Sequence, residues 1–157
     1  GGTTRERRLE IMKDSRIGTY GVVALLIVFS LKLTSLSIVD PLTAVPILIA
    51  AHAGGRLVTV LAIFTMSYGG DEQAAKVKPL ATGLSGMELS VAIVSWLAIG
   101  LACLSPGMLA VSTLFAAAAA GLVALQGQRL IGGYTGDVLG AAQQLAEIAI
   151  LTALSAV

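Results

Sequence analysis

Charge is what this chain has least of. Asp, Glu, Lys and Arg make up 12% of its 157 residues and aromatics 4%, whereas 56% are hydrophobic and the mean hydropathy is +0.90. Soluble globular domains carry about 25% charged residues, so this composition places the chain in a lipid bilayer. A formal charge of +1 excludes a nucleic-acid binder, which needs a surplus of Lys and Arg on one face. One cysteine, Cys103, and one histidine, His52, exclude a disulfide framework and a Cys/His zinc site built within the chain. There is no G-x-x-x-x-G-K-[ST] loop, no G-x-S-x-G elbow and no H-E-x-x-H helix, which removes the chemistries those motifs serve. Phosphoryl or nucleotidyl transfer through carboxylates and Mg²⁺ remains. With few aromatics and 18 glycines, helix packing rests on small residues that let backbones approach closely.

What is present is a set of five apolar runs of spanning length: Val22 to Val39, Pro41 to Ser67, Leu84 to Leu104, Met108 to Leu125 and Val138 to Val157. They show no strand alternation and are too long for barrel strands, so the expected fold is all-α, a polytopic helical membrane domain of about five transmembrane helices preceded by a short helix. Arg5, Arg7, Arg8, Lys13 and Arg16 precede the first span, Lys76 and Lys78 follow the second, and Arg129 follows the fourth. The connections at Asp40 and at Ser105-Pro106-Gly107 carry no Lys or Arg, so the positive-inside rule puts the N-terminal segment in the cytoplasm. Thr3 followed by Glu6 reads as a capping box opening the short helix, with Leu9, Met12 and Ile17 on one face. A first residue of Gly rather than Met, in an already charged segment, is the pattern expected of the downstream part of a longer protein.

Polar residues gather in two places on the expected cytoplasmic side, Arg5 to Gly21 and Gly132 to Ala141. In the second, Gly132, Gly133 and Gly136 let backbone amides approach a ligand, Thr135 offers a hydroxyl, and Asp137 offers a hard oxygen ligand where a helix begins. The alternative is a plain turn with the Asp capping the last helix. In the first, Asp14 suits a cation and Arg16 a phosphate, beside Ser15; equally, basic residues flanking a span set orientation. Within the last span Gly136, Gly140, Gln143 and Glu147 recur on one helical face, with Gly136 and Gly140 suited to close helix contact and Glu147 to a polar interior, where Arg56 is the expected partner. Arg56 follows Gly54-Gly55, which reads as a helix interrupted beside a cavity or as two tilted pieces with Arg56 snorkelling. Lys32 and Glu88 read as snorkelling or capping residues, His52 as a packed, hydrogen-bonded one, and Trp96 as a packing residue.

The string RERRLEIMKDSRIGTYG and the closing GGYTGDVLGAAQQLAEIAILTALSA closely resemble the cobalamin-5'-phosphate synthase, or adenosylcobinamide-GDP ribazoletransferase, family. The resemblance implies a membrane enzyme of the inner (plasma) membrane that joins α-ribazole, or its 5'-phosphate, to adenosylcobinamide-GDP with release of GMP and a requirement for Mg²⁺. The family's Asp-Ser-x-x-Gly-x-x-Gly pattern falls on Asp14, Ser15, Gly18 and Gly21, and its Gly-Gly-x-Thr-Gly-Asp-x-x-Gly pattern on Gly132, Gly133, Thr135, Gly136, Asp137 and Gly140. By the same resemblance Asp14 and Asp137 are metal or metal-water ligands. Arg16 and Ser15, with Arg56, Gly133, Thr135 and Gly136, bind substrate, and Glu147 is a supporting or proton-handling group with Arg56.

Two departures stand out. The family's aspartate cluster upstream of the basic segment lies outside this chain, from which inactivity of the chain alone is expected. Gly55 stands where the family has Ser, and GGDEQAAKVKPLATGLS replaces a basic, glycine-rich loop. Two other readings fit parts of the pattern: a small transporter or channel subunit, which suits Arg56 and Glu147, and a CDP-alcohol-type membrane phosphotransferase, which shares the carboxylate and Mg²⁺ chemistry.

Overall fold

The computed structural model describes residues 2–70 and 83–156. Lys76 and Lys78, with residues 71–82 of the loop that departs from the family pattern, lie outside the described residues, as does Val157. Six helices form among those described: α1 (Arg5–Lys13), α2 (Thr19–Ser37), α3 (Pro41–Thr65), α4 (Gly86–Cys103), α5 (Pro106–Ile131) and α6 (Gly136–Ser155). The last five are long and apolar enough to cross a membrane, and the fold is all-helical as the hydropathy requires.

Five of the six helices start where a side chain satisfies free amides, whereas α2 opens at Gly18 without a side-chain cap. The Asp40 carboxylate accepts from the amides of Leu42 and Thr43 ahead of α3, and Ser85 and Glu88 form a reciprocal capping box at α4. Ser105 and Thr135 cap α5 and α6 through the amides of Met108 and Val138. At α1 the cap is Thr4 rather than Thr3, with its hydroxyl accepting from Arg7 N–H, so no box forms with Glu6. Helix α1 is also shorter than its apolar spacing implied. Ile11 and Met12 line a groove against α5 and α6, and Ile17 lies beyond the helix, 61% exposed.

Helices α3 and α6 form the centre, with α4 and α5 packed around them and α2 set chiefly against α6. Since lipid is as apolar as leucine, this packing depends on fit rather than on escape from water. Ala50, Ala51, Ala142 and Ala146 are buried to 1% exposure or less between α3 and α6, with Val58 and Ile150 beside them. Gly54 and Gly55 belong to the same seam. A Cβ on Gly54 would stand 2.5 Å from Ile150 Cδ1, and one on Gly55 2.9 Å from Glu147 Cγ. The two glycines therefore do not interrupt α3, which runs unbroken from Pro41 to Thr65; they let α6 lie close against it. Gly136 and Gly140, expected to make the close contact, are exposed with open space around them. Leu25, Leu26, Phe29 and Leu33 of α2 and Val91, Val94 and Leu101 of α4 point outward, as a lipid-facing surface requires.

Candidate functional site

Two polar groupings come out of this packing. The first is inside the bundle. Glu147 is 8% exposed on α6, eleven residues from the helix start, or about 16 Å along its axis. Its Oε2 accepts from Lys32 Nζ at 2.7 Å, and its Oε1 from Gln143 Nε2 at 2.9 Å and from His52 Nδ1 at 3.1 Å. Facing a carboxylate, His52 Nδ1 serves as the donor. Lys32 also donates to Gln144 Oε1 at 2.7 Å. One carboxylate thus ties α2, α3 and α6 together, and Ser35 with Thr152 adds a hydroxyl pair at 3.3 Å further along α2 and α6.

This corrects two expectations. Lys32 is an ion-pair partner in the span rather than a snorkelling residue, and Glu147 pairs with Lys32 and His52 rather than Arg56. Arg56 lies one turn beyond His52 and lines a cavity of about 680 Å³ between α3 and α4, with Trp96 and Ser95 on the opposite wall. It forms no salt bridge with a described residue. His52 is hydrogen-bonded as its residue type suggested. Trp96 is buried, with its Nε1 3.4 Å from Thr113 Oγ1.

The second grouping lies at the face that bears α1. Helix α5 closes with Gly132 in the left-handed region at φ 76°, a conformation that favours glycine. Gly133 then passes so close to Ser67 that any Cβ would collide with the Ser67 carbonyl oxygen. Tyr134 N–H donates to Ser67 O at 3.0 Å, and Gly69 N–H to Tyr134 O at 2.7 Å. The Tyr134 ring, 1% exposed, meets Tyr68 edge to face at 5.7 Å. Burial, then the nearby Tyr68, raises the Tyr134 phenol above its ordinary value of 10.0, so it stays neutral.

The loop therefore has an inner and an outer side. Gly133 lies on the inner side, its amide donating to Gly127 O at 3.3 Å, so it shapes the turn rather than facing a ligand. Thr135, Gly136 and Asp137 lie on the outer side. The cap of α6 is Thr135 and not Asp137. Asp137 stands exposed in the first helical turn, its carboxylate without a partner among the described residues. The free amides and positive end of α6 at this turn favour an anion.

Asp14 ends α1, and both its oxygens are taken by Arg16: Nη2 donates to Oδ2 at 2.7 Å, and the backbone N–H to Oδ1 at 3.0 Å. The Arg16 side chain first, and its amide second, hold the Asp14 carboxyl below its ordinary value of 3.8. Ser15 is exposed between them. Arg5 and Arg8, passed over by sequence reasoning as orientation charges, are structural. Arg5 Nε donates to Ile131 O at 2.8 Å and its Nη2 to Gly69 O at 2.9 Å, while Arg8 Nη1 donates to Leu130 O at 2.9 Å. They satisfy the last carbonyls of α5 and bring α1, the segment after α3 and the loop before α6 to one face, as the distribution of charge implied. Among the described residues no three His, Cys, Asp or Glu side chains cluster closely enough to hold a metal. Magnesium needs only one or two carboxylates when waters and substrate phosphates complete its shell. The unpaired Asp137 fits that chemistry, and Asp14 fits it once Arg16 turns to a phosphate.

Five apolar helices enclosing a paired charge cluster, with a glycine-rich loop and an Asp-Arg segment exposed at one face, define a multi-pass membrane protein whose open polar site is at that face. The chain belongs to the cobalamin-5-phosphate synthase family, whose model matches residues 1–155. It is similar to the adenosylcobinamide-GDP ribazoletransferases of Shewanella sp. (strain ANA-3), 42% identical over 156 residues, and of Shewanella oneidensis, 42% identical over 152 residues. Each alignment covers 94% of this chain and 57% of the relative, so the chain spans little more than half the length of these curated relatives. No solved structure matches it.

Proposed function

We propose that this chain is the part of an adenosylcobinamide-GDP ribazoletransferase that carries the Asp14 and Gly132–Asp137 motifs. The enzyme joins α-ribazole, or its 5'-phosphate, to adenosylcobinamide-GDP, releasing GMP and completing cobalamin or its phosphate. The observation that carries this reading is the family match along residues 1–155, supported by relatives bearing that name over 94% of the chain. The activity is proposed for a polypeptide of the relatives' length.

In this reaction the ribazole hydroxyl oxygen bonds to the phosphorus that carries cobinamide. The bond from that phosphorus to the bridging oxygen breaks, GMP leaves with the electron pair, and the hydroxyl proton is lost to base or water. The protein's part is positioning and charge neutralisation. Thr135 and the outward amides of Gly136 and Asp137 at the start of α6 receive phosphate oxygens. Arg16, released from Asp14, clamps a second phosphate oxygen. Asp137, with Asp14, would hold Mg²⁺, which offsets the charge of the diphosphate and of the departing GMP. Glu147 acts from below by fixing α2 and α6, the two helices whose starts follow the two motifs. We place this face in the cytoplasm and the bundle in the cell inner membrane, on the side bearing the Lys and Arg residues.

The test is GMP release from adenosylcobinamide-GDP and α-ribazole 5'-phosphate by membranes containing the full-length polypeptide, with and without Mg²⁺, and with CDP-diacylglycerol as a rival substrate. Mg²⁺-dependent GMP release with no turnover of CDP-diacylglycerol is expected. Turnover of the CDP-alcohol alone would remove the reading.

A further inference from the structure

We infer that Arg5 is a positioning residue that locks the Gly132–Asp137 loop in its outward-facing geometry and couples it to the Asp14–Arg16 segment; its place in catalysis rests on the function proposed above. The last carbonyls of a helix have no partner within it and carry the negative end of the helix dipole. At the end of α5, Gly132 turns the chain sharply, and Ile131 O and Leu130 O point toward α1. Arg5 meets Ile131 O with Nε at 2.8 Å and, with the other arm of the same planar fork, Gly69 O at 2.9 Å. One rigid guanidinium therefore spans the two segments that form the walls of the loop. Between those walls run the two backbone bonds that pin Tyr134, to Ser67 O and from Gly69 N–H. The residue next to Tyr134 is Thr135, the cap of α6, and Asp137 is in the turn that follows.

The same side chain sits in the first turn of α1. That helix is nine residues long, Arg5–Lys13, and is closed by Asp14, so the fork sets where Asp14 and Arg16 stand relative to Asp137. Arg8 makes a related but lesser contact. It reaches Leu130 O with one nitrogen and spends Nε on Gly2 O within its own segment, leaving the 67–69 segment to Arg5. Lysine cannot substitute fully, because a single ammonium lacks the fixed fork that meets two carbonyls at once.

The test uses the full-length protein in nanodiscs and two readouts. Amide hydrogen exchange of residues 67–70 and 132–138 is compared for wild type, Arg5→Gln, Arg5→Lys and Arg8→Gln. GMP release is followed in parallel as a function of Mg²⁺. Arg5→Gln should speed exchange at Gly69 and Tyr134 by about tenfold or more, with mid-span amides of α3 and α6 unchanged. It should also raise the Mg²⁺ concentration for half-maximal rate by a similar factor. Arg5→Lys should fall between wild type and Arg5→Gln, and Arg8→Gln should leave Tyr134 protected. Unchanged exchange at Gly69 and Tyr134 in Arg5→Gln overturns the inference, whatever happens to activity. Faster exchange with an unaltered Mg²⁺ dependence overturns the coupling to the site. A wild type without GMP release removes the proposed function instead, and the exchange data still decide whether Arg5 holds the loop.

Discussion

The charges inside the bundle and those at the α1 face are used in opposite ways. Glu147 has its carboxylate filled by Lys32, Gln143 and His52, whereas Asp137 sits exposed beside a helix terminus with its carboxylate unpartnered among the described residues. A charged side chain at the centre of a span costs about 2.5–3.5 kcal/mol to insert, so an interior carboxylate must be satisfied by the fold itself. At the water boundary no such demand exists, and a carboxylate can remain free for a ligand. Polar residues in a membrane protein are thus informative in proportion to what remains unsatisfied. By that measure the interior cluster holds the bundle together, and the α1 face is the place for the chemistry proposed above.

Substitutions that separate the two regions sharpen this contrast. Glu147→Leu, which strands Lys32 in the bundle, should cost about 3–5 kcal/mol of stability in detergent unfolding. Lys32→Met combined with Glu147→Leu should recover most of that loss and retain turnover, because two apolar side chains need no pairing. A double variant as unstable as the single, or stable but inactive, would return Glu147 to the chemistry. Gly55→Ala places a methyl 2.9 Å from Glu147 Cγ and 3.0 Å from Gln143 Cγ, and should cost about 1–3 kcal/mol by forcing α3 and α6 apart. The same change at Gly136, which has open space around it, should leave stability within about 0.5 kcal/mol; an equal loss at both positions would contradict the packing described.

The smallest effect concerns pH. Asp14 has its carboxyl lowered by Arg16, so the stabilisation from this pair is fully present above the ordinary value of 3.8 and fades as pH falls through the lower folded value. Both groups are exposed, so the effect is slight and screened by salt. A thermal-unfolding series from pH 7 to pH 3 should show an Asp14→Asn variant parallel to wild type until the acid limb, with the gap closing there. A gap that widened toward acid would contradict the pairing.

The five spans were legible because apolar length alone decides which segments can cross a bilayer. The shared face of the α1 segment and the 132–137 loop was legible from charge alone. Partner choice was not. Arg56 is the nearest conspicuous cation in sequence logic, yet Lys32 lies thirteen residues into α2 and Glu147 eleven into α6. Those helices enter from the same face, so similar depth was the available signal for their pairing. The Gly54-Gly55 pair suggested a break, because glycine weakens helices in water. Inside a bundle the same residues are favoured for close approach, and the freed space is taken by Ile150 and Glu147. Arg5 and Arg8 could not be assigned from sequence, since the carbonyls they meet are created only when α5 ends beside α1. Gly133 looked like a ligand-facing glycine, and only the approach of Ser67 shows why its side chain must be absent.

Asp137, free at the start of α6, is proposed for the reacting site and Glu147 for the scaffold. Mg²⁺-dependent GMP release by the full-length Asp137→Asn protein, in membranes where its amount and unfolding temperature match wild type, tests this most directly. A loss of about a hundredfold or more is expected. An Asp137→Asn protein that releases GMP at the wild-type rate with an unchanged Mg²⁺ requirement would contradict it.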